Sequence, residues 1–389
     1  GEAPSSTFVF VNASRENDAV PVEPVSLKTP ADVTASADGK HVYVVASSDS
    51  DDHTLSAFSR DSVSGALALT SVITDGGNSY GRTVDGLSGA NCVTLSPDGK
   101  HLYVTADRYD NGSTKTGAVS FYSRDLLDGA LSFVGVIRNG DSNGNRTVNG
   151  LDGARSLAVT PDGRHVYVVA YSRGKDAVSL FSRDTTSGVL AFLSAIQNGN
   201  QSNDQAVEGM DGATSVNVSP DGSHVYVTTF YNASILVFLR NSASGALAFD
   251  SVLRDGDLNN GKVVNGLEGA SSAVCSPDGR QVYVAAWARN HTLSVFVRNS
   301  TSGTLAFDSV VRDGVRDGDR DSSEAVDAPN GAGSISISPD GRYLYVADYR
   351  EDKVSVFSRD LVSGALSLAS EVTGALDGAH SITVSPDGK

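Results

Sequence analysis

The segment RSLAVTPDGRHVYVVA, residues 155–170, decides the fold because close copies of it recur along the chain. It predicts a strand, a tight turn and a second strand, since glycine takes the positive φ that hairpin turns require and aspartate tolerates it. Six further copies are present, and in the first of them Ala37 replaces the proline. The turn aspartates are Asp38, Asp98, Asp162, Asp221, Asp278, Asp340 and Asp387.

Each copy continues with two further predicted strands. In the third copy these are AVSLFSRD, ending at Asp184, and LAFLSAI, beginning at Leu190. The turn between them carries a glycine where a hairpin bulge needs a left-handed residue. The recurring glycines are Gly65, Gly129, Gly188, Gly245, Gly303 and Gly364. Four antiparallel strands repeated radially predict the blades of an all-β propeller.

The two ends of the chain predict how the ring closes. Lys389 directly follows a first strand and its turn, and TFVFVNA from Thr7 has the pattern of an outer strand. Six complete copies and one divided copy predict a seven-bladed β-propeller in a single domain, residues 1–389. The seventh blade is expected to be split between residues 1–30 and 376–389, since an unpaired ring edge would otherwise be exposed.

Composition narrows the class of protein. The formal charge of −16 argues against a nucleic-acid partner, because phosphate binding needs a basic surface. No run approaches the roughly 18 to 20 apolar residues of a membrane-spanning helix, so no membrane insertion is expected. Residues 1–4 lack the features of a signal peptide, so any such signal is expected to have been removed. Cys92 and Cys275 occupy different repeat positions and are predicted to be free thiols.

The repeat resembles a known family. The pattern S-P-D-G-x-x-x-Y-V, followed by V-S-V-F-S-R-D-L-V-S-G-A-L at residues 354–366, resembles the lactonase-type β-propellers that include 6-phosphogluconolactonase. The resemblance covers nearly the whole chain and implies the blade structure. It also implies a lactonase activity as an expectation, although fold and activity separate readily.

The inner-strand position next to the predicted funnel carries mainly serine. The residues there are Ser156, Ser215, Ser272, Ser334 and Ser381, with Cys92 in the second copy. Because a ring of serines supplies no general base, this column favours a binding or structural role over catalysis. Histidine recurs at a different repeat position, just after the aspartate–glycine turn, and is interpreted there as part of the hairpin. These histidines are His41, His101, His165 and His224.

The loops after the second strands carry arginine and aromatic side chains. Guanidinium groups and rings on one face predict a site for an anionic or sugar-like ligand. Pairing of these arginines with neighbouring acids is the structural alternative. The candidate ligand-binding residues are Arg108, Tyr109, Tyr171, Arg173, Tyr231, Trp287, Arg289, Tyr349 and Arg350. The long connections between blades are expected to emerge on the same face and to help form the site.

One acidic loop is a candidate calcium site. Carboxylates alternate with glycine in it, and calcium prefers oxygen ligands on a backbone that is able to curl around the ion. The candidate ligands are Asp313, Asp317, Asp319, Asp321 and Glu324. A solvated acidic loop without a metal is the alternative reading.

Acceptor triplets for N-glycosylation point to a secreted glycoprotein. The candidate sites are Asn12, Asn111, Asn145, Asn232, Asn290 and Asn299, whereas Asn217 lies within a predicted strand. The leading interpretation is therefore an extracellular binding or structural propeller that presents its long-loop face to a glycan, a protein partner or another copy of itself.

The alternative is an enzyme acting on an anionic substrate, either a lactonase-type hydrolase or a polysaccharide lyase. Such a reaction needs a base and a charge-neutralising cation. The candidate bases are Tyr109, Tyr171, His291 and His380, and the candidate cation is Arg155. His53 is a further histidine that does not belong to the repeated set.

Overall fold

The computed structural model describes residues 30–47, 53–110, 115–172, 174–287, 292–312, 332–348, 353–373 and 380–388. It contains six four-stranded antiparallel sheets, each with its strands in sequence order, and we number these blades 1 to 6. The inner strands of successive blades contact one another around a ring. The β-propeller predicted from the repeats is therefore confirmed. Within the described ranges, no helix has the length and hydropathy needed to span a bilayer.

The strand bounds follow the sequence repeat. Blade 1 comprises Pro30–Ala35, His41–Ser47, His53–Arg60 and Leu67–Thr74. Blade 2 comprises Ala90–Leu95, His101–Asp110, Lys115–Arg124 and Leu131–Arg138. Blade 3 comprises Ala154–Val159, His165–Ala170, Ala177–Arg183 and Leu190–Gln197. Blade 4 comprises Ala213–Val218, His224–Thr229, Ser234–Arg240 and Leu247–Arg254. Blade 5 comprises Ala270–Cys275, Gln281–Ala286, Thr292–Arg298 and Leu305–Arg312. Blade 6 comprises Ala332–Ile337, Tyr343–Asp348, Lys353–Arg359 and Leu366–Thr373.

Four connections between blades contain a short two-stranded ribbon. The ribbons are Asn78–Ser79 with Arg82–Thr83, Ser142–Asn143 with Arg146–Thr147, Gln201–Ser202 with Gln205–Ala206, and Leu258–Asn259 with Lys262–Val263. Each ribbon is hydrogen-bonded to the fourth strand of the blade that follows, as where the Phe133 amide donates to Ser79 Oγ at 3.0 Å. The ribbon thereby satisfies a backbone donor at the outer edge of the sheet.

The same connections also contribute to the hydrophobic core. Val84 and Leu87 in the first connection are 1% and 0% exposed, and equivalent apolar pairs recur in the next three. Packing between blades explains this burial, because a sheet with neighbours on both faces must be apolar on both. Much of each connection is therefore used for packing and edge protection, and the expectation that the connections help form the ligand face stays a prediction.

Adjacent blades are joined by a repeated polar cluster at the end of the short turns. In one copy, Arg183 at the end of the third strand of blade 3 reaches back to blade 2. Its Nη2 lies 2.8 Å from Asp98 Oδ2 and 2.6 Å from His101 Nδ1, and its Nε donates to Tyr103 Oη at 2.8 Å. We call this arrangement the interblade cluster.

A glycine of the following blade completes five of the interblade clusters. The Tyr103 hydroxyl donates to the carbonyl oxygen of Gly188 at 3.0 Å, and the His101 ring packs against the same glycine. Gly188 has φ of +76°, as predicted for a bulge glycine. A Cβ atom there would overlap the imidazole. The recurring histidines thus join neighbouring blades, which corrects their interpretation as parts of a single hairpin.

The interblade clusters recur around the ring and include its closure. The arginine–aspartate pairs are Arg60–Asp387, Arg124–Asp38, Arg183–Asp98, Arg240–Asp162, Arg298–Asp221 and Arg359–Asp278. The first of them connects blade 1 to the C-terminal residues.

Residues 380–388 occupy the inner position between blade 6 and blade 1. The amide of Ile382 donates to Ser334 Oγ of blade 6 at 3.3 Å, and the hydroxyl of Ser381 donates to Asp32 Oδ1 of blade 1 at 2.5 Å. This is where the inner strand of a seventh blade is expected, although no strand is assigned there. The predicted pairing partner, residues 7–13, lies outside the described residues.

A candidate active site at the mouth of the ring

The inner strands carry a bulge at the end opposite the short turns. In blade 3 the register with the second strand shifts between Ala154 and Ser156, so that Arg155 is the additional residue. Bulges often re-aim a side chain beside an active site. The equivalent residues of blades 1 to 6 are Ala31, Asn91, Arg155, Thr214, Ser271 and Gly333, and His380 is equivalent by sequence. These residues form a ring at the mouth of the central channel.

Three members of this ring use their side chains for internal hydrogen bonds. Asn91 Nδ2 donates to the Ala154 carbonyl at 2.8 Å, and Thr214 Oγ1 donates to the Ala270 carbonyl at 2.9 Å. Ser271 Oγ donates to the Ala285 carbonyl at 3.1 Å. These residues join strands and are poor candidates for contact with a substrate.

Arg155 and His380 are the two members of the ring with ionisable side chains. Arg155 is exposed and makes no hydrogen bond or ion pair with another described residue. His380 is also exposed at the mouth, and partial desolvation lowers the pKa of its imidazole below the usual 6.5. A neutral imidazole and an available guanidinium are the two kinds of group that a reaction of an anionic substrate needs.

Asp32 is a half-buried acidic group beneath the mouth that the sequence interpretation did not include. Desolvation raises the pKa of its carboxyl group, although hydrogen bonds from Ser381 and from the Val93 amide oppose the rise. The Val93 amide donates to Asp32 Oδ2 at 2.7 Å. Asp32 occupies the column in which later copies carry serine, so alignment of the first copy would have revealed it.

The serine column itself connects neighbouring inner strands. Ser156 Oγ accepts a hydrogen bond from the Val216 amide at 3.3 Å, and Ser334 Oγ accepts one from Ile382. In this column Cys92 lies beside Asp32, and burial raises the pKa of its thiol. Cys92 and Cys275 are both free, as predicted.

His53, another candidate from the sequence, is held between two serines. Its Nδ1 lies 3.0 Å from Ser47 Oγ, and its Nε2 lies 3.2 Å from Ser88 Oγ. Both ring nitrogens are therefore engaged. His291 lies outside the described residues.

Three of the predicted ligand-binding residues lie together on the long-loop face. The ring centroids of Tyr171 and Tyr231 are 5.3 Å apart, and Phe230 connects Tyr231 to Trp287 with centroid distances of 5.1 and 5.5 Å. Phe230 was missed, although it occupies the position of Tyr171 and Trp287 in its own blade. Arg173, Arg289, Tyr349 and Arg350 lie outside the described residues, as do the side chains of Arg108 and Tyr109.

The candidate calcium loop also lies outside the described residues, so its five carboxylates stay a prediction. Within the described ranges, no group of three or more acidic, histidine or cysteine side chains is placed to hold a metal ion.

Among the candidate glycosylation sites, Asn145 and Asn299 are exposed. Asn232 is half-buried, and its Oδ1 accepts a hydrogen bond from the Asp211 amide at 2.8 Å. Asn12, Asn111 and Asn290 lie outside the described residues. Glycosylation stays a prediction for all six.

Comparison with known proteins gives one family and several similar folds. The model of a family described as lactonase, seven-bladed β-propeller, matches residues 144–315 and 318–389, more than half of the chain. A 6-phosphogluconolactonase candidate from Bacteroides uniformis is 19% identical, with a TM-score of 0.65 and coverage of 92% of this chain and 89% of that chain.

A second similar structure is the periplasmic gluconolactonase of Pseudomonas aeruginosa. It is 21% identical, with a TM-score of 0.62 and coverage of 91% of this chain and 87% of that chain. At these identities the two structures show a shared fold.

Proposed function

Because the chain belongs to the lactonase family of seven-bladed β-propellers, we propose that it hydrolyses the ester bond of a sugar lactone at the mouth of its channel. The family match favours this hydrolase, the alternative in the sequence interpretation, over the extracellular binding role. The observation that carries the proposal is that an acid, a cation and a histidine, Asp32, Arg155 and His380, lie at the same end of the inner strands.

His380 is the proposed general base. A water molecule attacks the lactone carbonyl carbon while the neutral imidazole accepts one of its protons. The tetrahedral intermediate then collapses, the ring carbon–oxygen bond breaks, and the proton passes to the departing alkoxide oxygen. The product is the open hydroxy acid. A histidine whose pKa is lowered is largely in the neutral, basic form near pH 7.

Asp32 is a proposed positioning residue. Its carboxyl group accepts the hydrogen bond of Ser381, which directly follows His380 in the chain. The same carboxyl group accepts the Val93 amide of blade 2. Asp32 thus fixes the residue next to the proposed base against two neighbouring blades, as precise placement of a catalytic group requires.

Arg155 is the proposed anchor for the anionic part of the substrate. Its planar guanidinium is suited to bidentate contact with a carboxylate or phosphate. Because the protein carries a net negative charge, a localised cation such as Arg155 is needed to hold an anionic substrate. The similar proteins suggest glucono-δ-lactone and 6-phosphoglucono-δ-lactone as the first substrates to examine. Arg155 favours the phosphorylated one.

The experiment compares His380→Gln with the parent protein in a pH-indicator assay on both lactones, after subtraction of spontaneous hydrolysis. We expect a loss of kcat of about a hundredfold or more, because positioned general bases contribute roughly 10² to 10⁴ in rate. The parent should lose activity as pH falls through a value below 6.5, when the imidazole becomes protonated.

Ser271→Ala is the matched control, because Ser271 occupies the same bulge position in blade 5. Its activity should stay close to that of the parent. Full activity of His380→Gln, or an equal loss in both variants, would exclude His380 as the base.

A further inference from the structure

Four aromatic side chains form a continuous array on the long-loop face. We define Tyr171, Phe230, Tyr231 and Trp287 as the aromatic platform. Its neighbouring rings lie 5.1 to 5.5 Å apart between centroids, and it crosses blades 3, 4 and 5. Tyr231 is 59% exposed and Trp287 36% exposed. Two large rings of the array are therefore exposed, and the half-buried rings of Tyr171 and Phe230 lie beside them.

The backbone holds three of these rings at equivalent positions. The amides of Tyr171, Phe230 and Trp287 each donate to the carbonyl of a glycine just before the inner strand, at 2.9, 2.8 and 3.2 Å. In blade 4 this glycine is Gly212, and a Cβ atom there would lie 2.6 Å from Cδ2 of Tyr231. Glycine therefore lets the Tyr231 ring pack against the backbone.

A cavity of about 450 Å³ with several polar lining residues adjoins the platform. Its polar lining comes from Asn198, Glu208, Asp211, Asn232 and Arg254, and Asn232 directly follows Tyr231. Arg254 Nη2 lies 3.8 Å from Glu208 Oε2, so the only guanidinium in the lining is already offset by a carboxylate. The cavity offers amide and carboxylate oxygens and carries no excess of positive charge.

Buried hydrogen bonds join the two loops beneath the platform. Asp176 is fully buried, and its carboxylate accepts the Ser172 amide at 2.8 Å and the Gly212 amide at 3.3 Å. Ser172 follows Tyr171, and Gly212 contacts Tyr231. Asp176 therefore fixes the rings of blade 3 and blade 4 relative to each other before any ligand binds, which lowers the entropic cost of binding.

We propose that the aromatic platform and the adjoining cavity bind the pyranose rings of a neutral oligosaccharide. The apolar C–H face of a pyranose packs on an aromatic ring, while its hydroxyl groups donate to oxygens at the edge of the site. The array is longer than one ring and the cavity lies at its side. An anionic glycan is disfavoured by Glu208 and Asp211, and a protein partner would leave the concave polar cavity unfilled.

The single tryptophan of the chain makes the site directly observable. Emission of Trp287 is followed while cellohexaose, xylohexaose, maltohexaose or polygalacturonate is added to the full chain. We expect saturable quenching or a blue shift with at least one neutral hexasaccharide. Tyr231→Ala should weaken that binding by about tenfold, since exposed aromatic anchors dominate such contacts.

Tyr80→Asn is the matched control, because Tyr80 is 81% exposed in a connection between blades 1 and 2, away from the platform. It should bind as the parent does, and melting curves should show both variants folded. No saturable change with any neutral sugar, binding only of polygalacturonate, or equal binding by Tyr231→Ala would overturn the proposal. Failure of lactone hydrolysis leaves this binding test unaffected, because the readout needs no reaction.

Discussion

The two ends of the ring use the same repeat in opposite ways. At the end with the short turns, aspartate, histidine, tyrosine, arginine and glycine return in nearly every blade and form the interblade clusters. At the mouth, the corresponding positions change from blade to blade, from Ala31 to Arg155 to His380. Repetition is required where every blade must join the next, whereas a site for an asymmetric small molecule requires each blade to contribute a different group.

The largest effect should come from filling the glycine of an interblade cluster. Gly188→Ala places a methyl group into the His101 ring and also imposes a positive φ on alanine. We expect a loss of roughly 2 to 4 kcal/mol in the free energy of unfolding, measured by urea denaturation.

Gly140→Ala separates the two causes of that loss. Gly140 has φ of +89° and no neighbouring atom within 4 Å of an added Cβ, so only the backbone term applies. Its loss should be about 1 to 2 kcal/mol. Equal losses in the two variants would show that contact with His101 contributes nothing.

A smaller effect is expected from pH. Burial first, and then the charge of Arg183, lower the pKa of His101 below 6.5. The unfolded chain therefore binds a proton at His101 more readily than the folded protein does. The neutral imidazole makes its full contribution to the free energy of unfolding above pH 6.5, and this contribution is lost as pH falls below that value. Burial alone would raise the pKa of Asp98, but hydrogen bonds from Ser96 and Arg183 lower it to about 2. A second loss should therefore occur between about pH 4 and pH 2.

Blade 5 supplies the substitution that tests the first of these losses. There Gln281 replaces histidine, and its side-chain oxygen accepts the hydrogen bond of Arg359. His101→Gln should keep this contact without a titrating group. Because four clusters contain histidine, the decrease in urea midpoint between pH 7 and pH 5 should shrink by about a quarter. An unchanged decrease would contradict a role of the clusters in acid sensitivity.

The smallest effect on stability is expected at the mouth. Arg155→Ala removes an exposed side chain without a described partner, so the free energy of unfolding should change by no more than about 0.5 kcal/mol. The KM for 6-phosphoglucono-δ-lactone should rise about tenfold, while that for the neutral lactone stays unchanged. A large loss of stability would mean that the mouth is also structural.

Local features of the sequence were enough to predict the blades. The aspartate–glycine turns, the bulge glycines and the alternation of strands specify each hairpin from neighbouring residues, and the positive φ of Gly188 confirms one of these assignments. The role of the histidines was not predictable in this way. Arg183 and His101 are 82 residues apart, so the repeat shows that both recur but not that they meet.

The site was predicted less well for a related reason. Repeated residues such as the serine column are apparent from the sequence, whereas Asp32 departs from that column and bonds to Ser381 of the C-terminal segment. Phe230 was not predicted, although it stands at the repeat position of Tyr171 and Trp287 and its ring contacts Trp287. In both cases alignment of all copies, with emphasis on the exceptions, would have found the residue.

The pair formed by Arg60 and Asp387 has a consequence for biosynthesis. The two residues are 327 positions apart, so the partner of blade 1 leaves the ribosome long after blade 1 itself. At roughly 5 to 20 residues per second, the interval is about 16 to 65 s. During that time the inner edge of the first blade lacks its neighbour. Chaperones that shield exposed strands on nascent chains should therefore associate with this protein until the segment around Asp387 is made.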